Sequence, residues 1–591
     1  MTVAINAIRR LEAKVEDLTA AINSTKAIPL QPPVYDQMSP TATHSQVGPS
    51  PTPHALTYSY SHHDRGSFDI GSSPHTHTVG TPGKSPYPTA EPYGAVKLSF
   101  SQHGVTLWPA MQDMLPSDFL AARRALPRDY IVHIESQRPP LPMHIDFPSG
   151  YSVDSWLTGL PLSVIKGLAD AYFAVFHRNT PVLDKFHFFS GTLGTAVEND
   201  FGYDIETCLV LMVLSLGCLA VKAHEEGDFV LSSRGPVGGV GFVRPDWYEL
   251  VTDDPPGLKF FNEARKRFGF VMGRNDLPTG QFYMLSTLYY AQLLRPIDSW
   301  SMVNRAALCC ISMLSQAESI DYDTWEGDML SKLFWNTLMY ETIITQELSL
   351  PPSGLLEHEA DVPIPKFTPC PRPKTSISDL LVDQDDSFFN FHFLAQAAHR
   401  IILTRIRHNL YSFAEKEGHP SPTLTAEMHH QIEQWRSNLP PSLQFSDGEE
   451  AGEGTSPAHV VAKAMLRSRY RVAKFHIGRP FLYKALHAPG YMTESEYGEV
   501  RKGLQAAMYW PTTMGPCAQM KSALPIKFGW CSQCFGQILF FTAVARSENA
   551  RLRDTLPAGW QGWVGVMMDL IDTCAKESPG IAQDKSLLRL L

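Results

Sequence analysis

Apolar residues recur at intervals of three and four along most of the chain after about residue 160. Val164, Leu168, Tyr172 and Val175 make one such stripe, and Leu258, Phe261, Ala264, Phe268 and Val271 another. The pattern returns at Phe282–Leu285–Tyr289, Val303–Ala307–Cys310–Leu314 and Leu330–Phe334–Leu338. After a Pro-rich joint at 363–373 it resumes at Phe391, Leu394, Ala398, Ile401 and Ile402, then at Met428, Ile432, Trp435 and Leu439, and finally at Trp560, Trp563, Met567, Ile571 and Cys574. That spacing puts one apolar face on each of many amphipathic helices. Alternating strand patterns are scarce, which argues against a doubly wound α/β fold. The expected class is all-α, one large multi-helix body over residues 96–590 with a sub-boundary near 363–387. Asp204 is placed to cap an apolar helix, and the run Cys208 to Val221 is shorter than a bilayer span, so it reads as a buried helix rather than a membrane segment.

Two segments before the body follow different rules. Ile8, Leu11, Val15, Leu18 and Ile22 are spaced 3, 4, 3, 4, with β-branched residues at a positions and leucine at d. This is the pattern of a parallel two-stranded coiled coil, so residues 1–25 are expected to be a dimerisation helix pairing with a second copy or with a different chain. Residues 26–95 are rich in Pro, Ser, Thr, His and Gly and lose all hydrophobic spacing, as a disordered linker does. The acidic residues Glu12, Glu16 and Asp17 leave no room for a signal-peptide core.

Charge and chemistry narrow the function. Lys and Arg total 50 against 60 Asp and Glu, a formal charge of -10, which is unlike a chain that grips nucleic acid by bulk electrostatics. The nine cysteines are sparse and mostly lie in apolar runs, a reduced, intracellular usage. The glycines at 235, 238, 239 and 241 lack the Gly-Lys-Ser/Thr and strand–turn–helix context of a phosphate loop, and read as a flexible loop. His224-Glu225 and His358-Glu359 have no second histidine four residues on. Cys531 and Cys534 form one CxxC without a matching pair, so a packed helix is expected there instead of a zinc site. Arg467, Arg471 and Lys474 share a helix face beside Tyr470, read as solvated or paired within the chain. No catalytic, cofactor or metal residues are assigned, and no enzyme activity is expected.

Several stretches carry a family resemblance. They are Ser101-Gln102-His103-Gly104-Val105-Thr106-Leu107-Trp108-Pro109, the segments Leu168–Phe188, Gly257–Leu314 and Leu333–Pro352, then Trp435-Arg436-Ser437-Asn438-Leu439-Pro440 and Gly478-Arg479-Pro480-Phe481-Leu482-Tyr483. In this order they resemble the regulatory region of fungal zinc-cluster transcription factors. The resemblance implies a nuclear transcription regulator of a metabolic, specialised-metabolite gene set, with a small-molecule effector. It also implies a six-cysteine zinc cluster ahead of the coiled coil, but the first cysteine here is Cys208. The expectation is therefore a regulator without its own DNA-binding cluster, reaching DNA only indirectly. The alternative is a full DNA-binding activator whose cluster precedes this sequence, and zinc is expected only in that case. A helical metabolite-binding protein or enzyme is the remaining reading.

Overall fold

The computed structural model describes residues 98–591 except 99, 127, 144–155, 232–240, 317–318, 372–383, 412–420, 447–455, 511–516 and 518. The heptad residues Ile8, Leu11, Val15, Leu18 and Ile22 and the 26–95 linker lie outside the described residues. Among those described there is no β-strand, and the fold is all-α.

The chain first makes a 3₁₀ turn, His103–Leu107, and two short helices, α1 (Ser117–Ala125) and α2 (Tyr130–Ser136). Helix α3 (Leu162–Tyr172) packs on α4 (Ile205–Glu226). Asp204 caps α4 as expected, its carboxylate accepting from the Thr207 amide at 2.7 Å. The α3–α4 crossing is close because position 217 is glycine: a Cβ there would stand 2.3 Å from the Leu168 carbonyl oxygen. Helix α5 (Leu258–Phe268) follows from Gly257, whose φ of +77 suits only a residue free of Cβ strain. Helices α4 and α13 (Lys527–Arg546) are long and apolar enough to cross a membrane, but 89% and 83% of their most apolar windows are buried inside the body. They are core helices.

Helices α6 (Leu277–Gln292), α7 (Pro296–Gln316) and α8 (Trp325–Leu348) pack in sequence order. The Pro-rich joint that follows is strapped onto α8. The Pro363 carbonyl accepts from Ser331 Oγ and from Trp335 Nε1 at 3.0 Å, and the Asp328 carboxylate accepts from the amides of Lys366, Phe367 and Thr368. Proline supplies no amide hydrogen, so this strap is held through its carbonyls and its few non-proline amides.

Helices α9 (Gln384–Ile406), α10 (Pro422–Ser437), α11 (Pro457–His487) and α12 (Glu494–Met508) precede α13, and α14 (Trp560–Ala575) and α15 (Pro579–Leu588) close the chain. Helix α11 runs for 31 residues through Pro480. A proline frees the carbonyl four residues earlier. Here that is His476, and Tyr411 Oη donates to it at 3.0 Å. The same phenol lies 3.0 Å from His476 Nδ1, so its oxygen accepts the ring N–H while its hydrogen satisfies the carbonyl. Gly478 and Gly503 let α11 and α12 touch, with a Cβ at 478 only 2.9 Å from the Glu499 carbonyl oxygen.

Candidate functional site

The described polar groups with the most demanding burial gather where the chain enters the body. Ser101, Gln102 and His103 are fully buried, although nothing in their own sequence is apolar. They form a plug between helices from the far end of the chain. His103 Nε2 lies 2.9 Å from Asp584 Oδ2 on α15, and Tyr130 Oη donates to the other Asp584 oxygen at 2.5 Å. On α13, Ser532 Oγ stands 3.5 Å from His103 Nδ1 and donates to Glu347 Oε2 at 2.5 Å. Gln533 joins Gln102 to Glu347, accepting at 3.0 Å and donating at 2.7 Å. Arg479 donates to the carbonyls of Phe100 and Ser101 at 2.9 and 2.8 Å. The opening motif and the Gly-Arg-Pro motif, far apart in sequence, are thus bound to each other.

Electrostatics follow from this packing. Burial alone would pull the His103 imidazole down, but Asp584, with Asp129 and Glu347 further off, outweighs it and raises its pKa above the ordinary value. Burial pushes Glu347 up, and the Ser532 and Gln533 hydrogen bonds only partly offset it. Trp108 completes the plug, 1% exposed, edge-on to Tyr483 and beneath the Arg479 guanidinium at 5.5 Å. An indole buries roughly 200 Å², worth about 5 kcal/mol at 25 cal/mol/Å².

Beside the plug lies a cavity of about 120 Å³, whose wall includes Phe100, Glu347 and Gln533 from the network just described. One face of α11 forms another wall, with Met465, Ser468, Arg469, Val472 and His476 at helical spacing. Trp510 and Trp530 stack at 5.3 Å and 22° and give a flat aromatic side. Ile526 stands between this cavity and a smaller neighbour of about 20 Å³. Its backbone is left-handed at φ +55, rare for a β-branched residue, and such strain clusters at ligand clamps and switches.

Several polar atoms of this wall have no partner among the described residues. They are Arg469 Nε, Gln346 Nε2 and His399 Nδ1, all sealed from solvent by the surrounding atoms. Arg469 uses one nitrogen to reach Gln396 Oε1 at 3.0 Å and makes no ion pair with a described residue. Burial pulls its guanidinium down to about 10, and the nearby Arg400 cation adds to that. His399 Nε2 lies 2.9 Å from the Arg469 carbonyl, so it carries the hydrogen and leaves Nδ1 a bare acceptor. Burial, then the charge of Arg469, holds His399 well below the usual histidine range, and burial with Arg479 does the same to His476. A buried donor or acceptor left unmatched costs about 1–3 kcal/mol. A mostly apolar cleft with a few such converging groups is the usual form of a small-molecule site.

Residues 169–437 match the model of the fungal specific transcription factor domain. The chain carries this domain. It is the regulatory part of fungal transcription regulators, a class that is in general nuclear and non-enzymatic. Comparison with curated proteins finds no match. The matched span supplies Gln346 and Glu347 from α8 and His399 from α9, whereas Arg469, Trp510, Trp530 and the plug residues other than Glu347 lie outside it.

The other motifs singled out in the sequence do not join this site. Lys474 is paired with Glu433 at 2.9 Å and with Tyr470, and Arg471 lies over the Tyr509 ring at 4.6 Å, so that face of α11 is engaged within the chain. Cys531 and Cys534 are buried in α13, where the Cys534 thiol meets Met567 sulfur at 3.6 Å. Among the described residues no group of three or more His, Cys, Asp and Glu is placed to hold a metal. Gly235, Gly238 and Gly239 lie outside the described residues. Sequence reasoning missed Arg469 and His399. The signal was present, since Arg469 shares a helix face with Met465, Val472 and His476, where a solvated arginine is out of place.

Proposed function

We propose that this transcription regulator reads a small-molecule effector in the cavity beside its plug and passes occupancy to the chain that leads into the body. One observation carries the reading: Phe100, Glu347 and Gln533 belong to the cavity wall and to the plug at once. A ligand that shifts Glu347 or Phe100 acts on the segment connecting the body to residues 1–95. There, Ile8, Leu11, Val15, Leu18 and Ile22 supply a pairing seam for a second copy or a cluster-bearing partner, and the regulated genes form a metabolic set. DNA is reached through that partner, or through a cluster preceding this sequence.

The test has two arms in a reporter strain. Val472→Phe narrows the cavity without touching a polar group, and is expected to lock reporter output against inducing conditions. Leu11→Lys with Leu18→Lys is expected to abolish both self- or partner-association and output. Unchanged effector response in V472F removes the cavity reading, and unchanged association in the double variant removes the seam.

A further inference from the structure

We infer that the effector is an aromatic carboxylate of about nine to twelve non-hydrogen atoms. This rests on the effector reading of the same cavity and adds the chemistry of what fills it.

Size comes first. A water needs about 10–15 Å³ of such space, so a cavity of 120 Å³ holds on the order of ten heavy atoms. Shape comes next. The stacked Trp510 and Trp530 rings and the side chain of Phe100 favour a flat apolar body over a branched one. Charge is decided by Arg469. Its guanidinium has no carboxylate partner, and the one acid in the wall, Glu347, is held by Ser532 and Gln533. Arg400, close enough to act on Arg469, is hydrogen-bonded to the hydroxyls of Thr404 and Thr342 and has the charges of Glu359 and Glu341 near it. The Arg469 guanidinium itself is thus left without an acid among the described residues, and a ligand carboxylate supplies one. Arg469 and Gln346 both line the cavity; their unused Nε and Nε2 donors are covered by neighbouring atoms and meet an anionic oxygen only where the wall shifts to uncover them. His399 Nδ1 is the single unused acceptor among these three, and a ligand hydroxyl matches it where the same shift uncovers it.

The experiment is calorimetric titration of the full chain with benzoate, 4-hydroxybenzoate and the neutral isostere benzamide. Benzoate is expected to bind at least tenfold more tightly than benzamide, the margin of a charge-assisted hydrogen bond. 4-Hydroxybenzoate is expected to gain further. Arg469→Met is expected to bring the benzoate-to-benzamide ratio close to one, and Arg469→Lys to restore part of it. Equal binding of benzoate and benzamide by the unaltered chain overturns the charge assignment while leaving the effector reading intact, and needs no variant to fold. Binding of none of the three overturns the ligand class outright. In that case V472F decides the rest: a changed reporter response keeps the effector reading, and an unchanged one ends it as well.

Discussion

The plug around His103 and the cavity wall around Arg469 are both buried, polar and built on α11, yet they are finished differently. In the plug, His103, Asp584 and Glu347, which carry its charge, each meet partners at hydrogen-bond distance, and Gln102 Oε1 and Arg479 Nε are left over. In the wall, a guanidinium, an amide and an imidazole each keep an unused atom. Satisfied buried polar groups fix one arrangement of the chain; unsatisfied ones wait for something else to bind. The difference separates the part of the helical body that holds structure from the part suited to recognition, and mutations in the two should differ in magnitude and in kind.

The largest expected effect comes from acid. Burial lowers His392 to about 3 and His224 to about 4, with Arg469 adding to the first, and holds His399 and His476 well below their ordinary range. A base that is neutral in the fold and protonated when unfolded gives stability that is complete above about pH 6.5 and lost as pH falls. Each loses about 1.4 kcal/mol per pH unit, so about 2 kcal/mol each by pH 5. His103 has the opposite sign, since its folded pKa is raised: its contribution is complete below about pH 6.5 and fades as pH rises through the folded value. With His177, lowered to about 3, and His487, the lowered histidines among the described residues are six; His103 and the raised carboxyls of Glu347, Glu359 and Asp253 oppose them, and the balance should make the body acid-labile. Urea midpoints at pH 7.5, 6 and 5 should fall steadily, and a midpoint that rises towards pH 5 would show the plug pair dominating.

Next in size is Asp584→Ala, which strands a buried imidazole and the Tyr130 hydroxyl. A loss of about 3–5 kcal/mol is expected by urea unfolding, as for other buried pairs deprived of one member. Gly536→Ala should cost about 1–3 kcal/mol through overpacking, because its Cβ would stand 2.2 Å from the Gln102 side-chain oxygen. The smallest effect is expected in the wall. Arg469→Met removes a charge that has no counter-ion, and stability should stay within about 1 kcal/mol of the parent or rise. A fall of 3 kcal/mol in that variant would place Arg469 with the structural groups and erase the contrast.

The helices were legible because burial of one face imposes a 3.6-residue period that does not depend on what lies opposite. The Asp204 cap and the buried run from Cys208 were legible for the same local reason. The partners of the plug were not. Asp584 is 481 residues from His103, and Glu135 is 443 from Ser578, whose hydroxyl it accepts at 2.5 Å. No spacing rule links such positions. The cavity was hidden differently: Arg469 sits between Arg467 and Arg471, so the cluster read as one charged surface, whereas the helix turns Arg469 towards a pocket.

Those sequence separations bear on how the molecule is made. Asp584 at His103 and Tyr130, and Ser578 and Gly580 at Glu135, all lie beyond residue 577. While the nascent chain is still on the ribosome, the front of the body has been translated but its polar core is open. Closure waits until residues 578–584 are made and packed, so a message cut short before codon 578 is expected to yield a product with most of these helices and an unsealed interior.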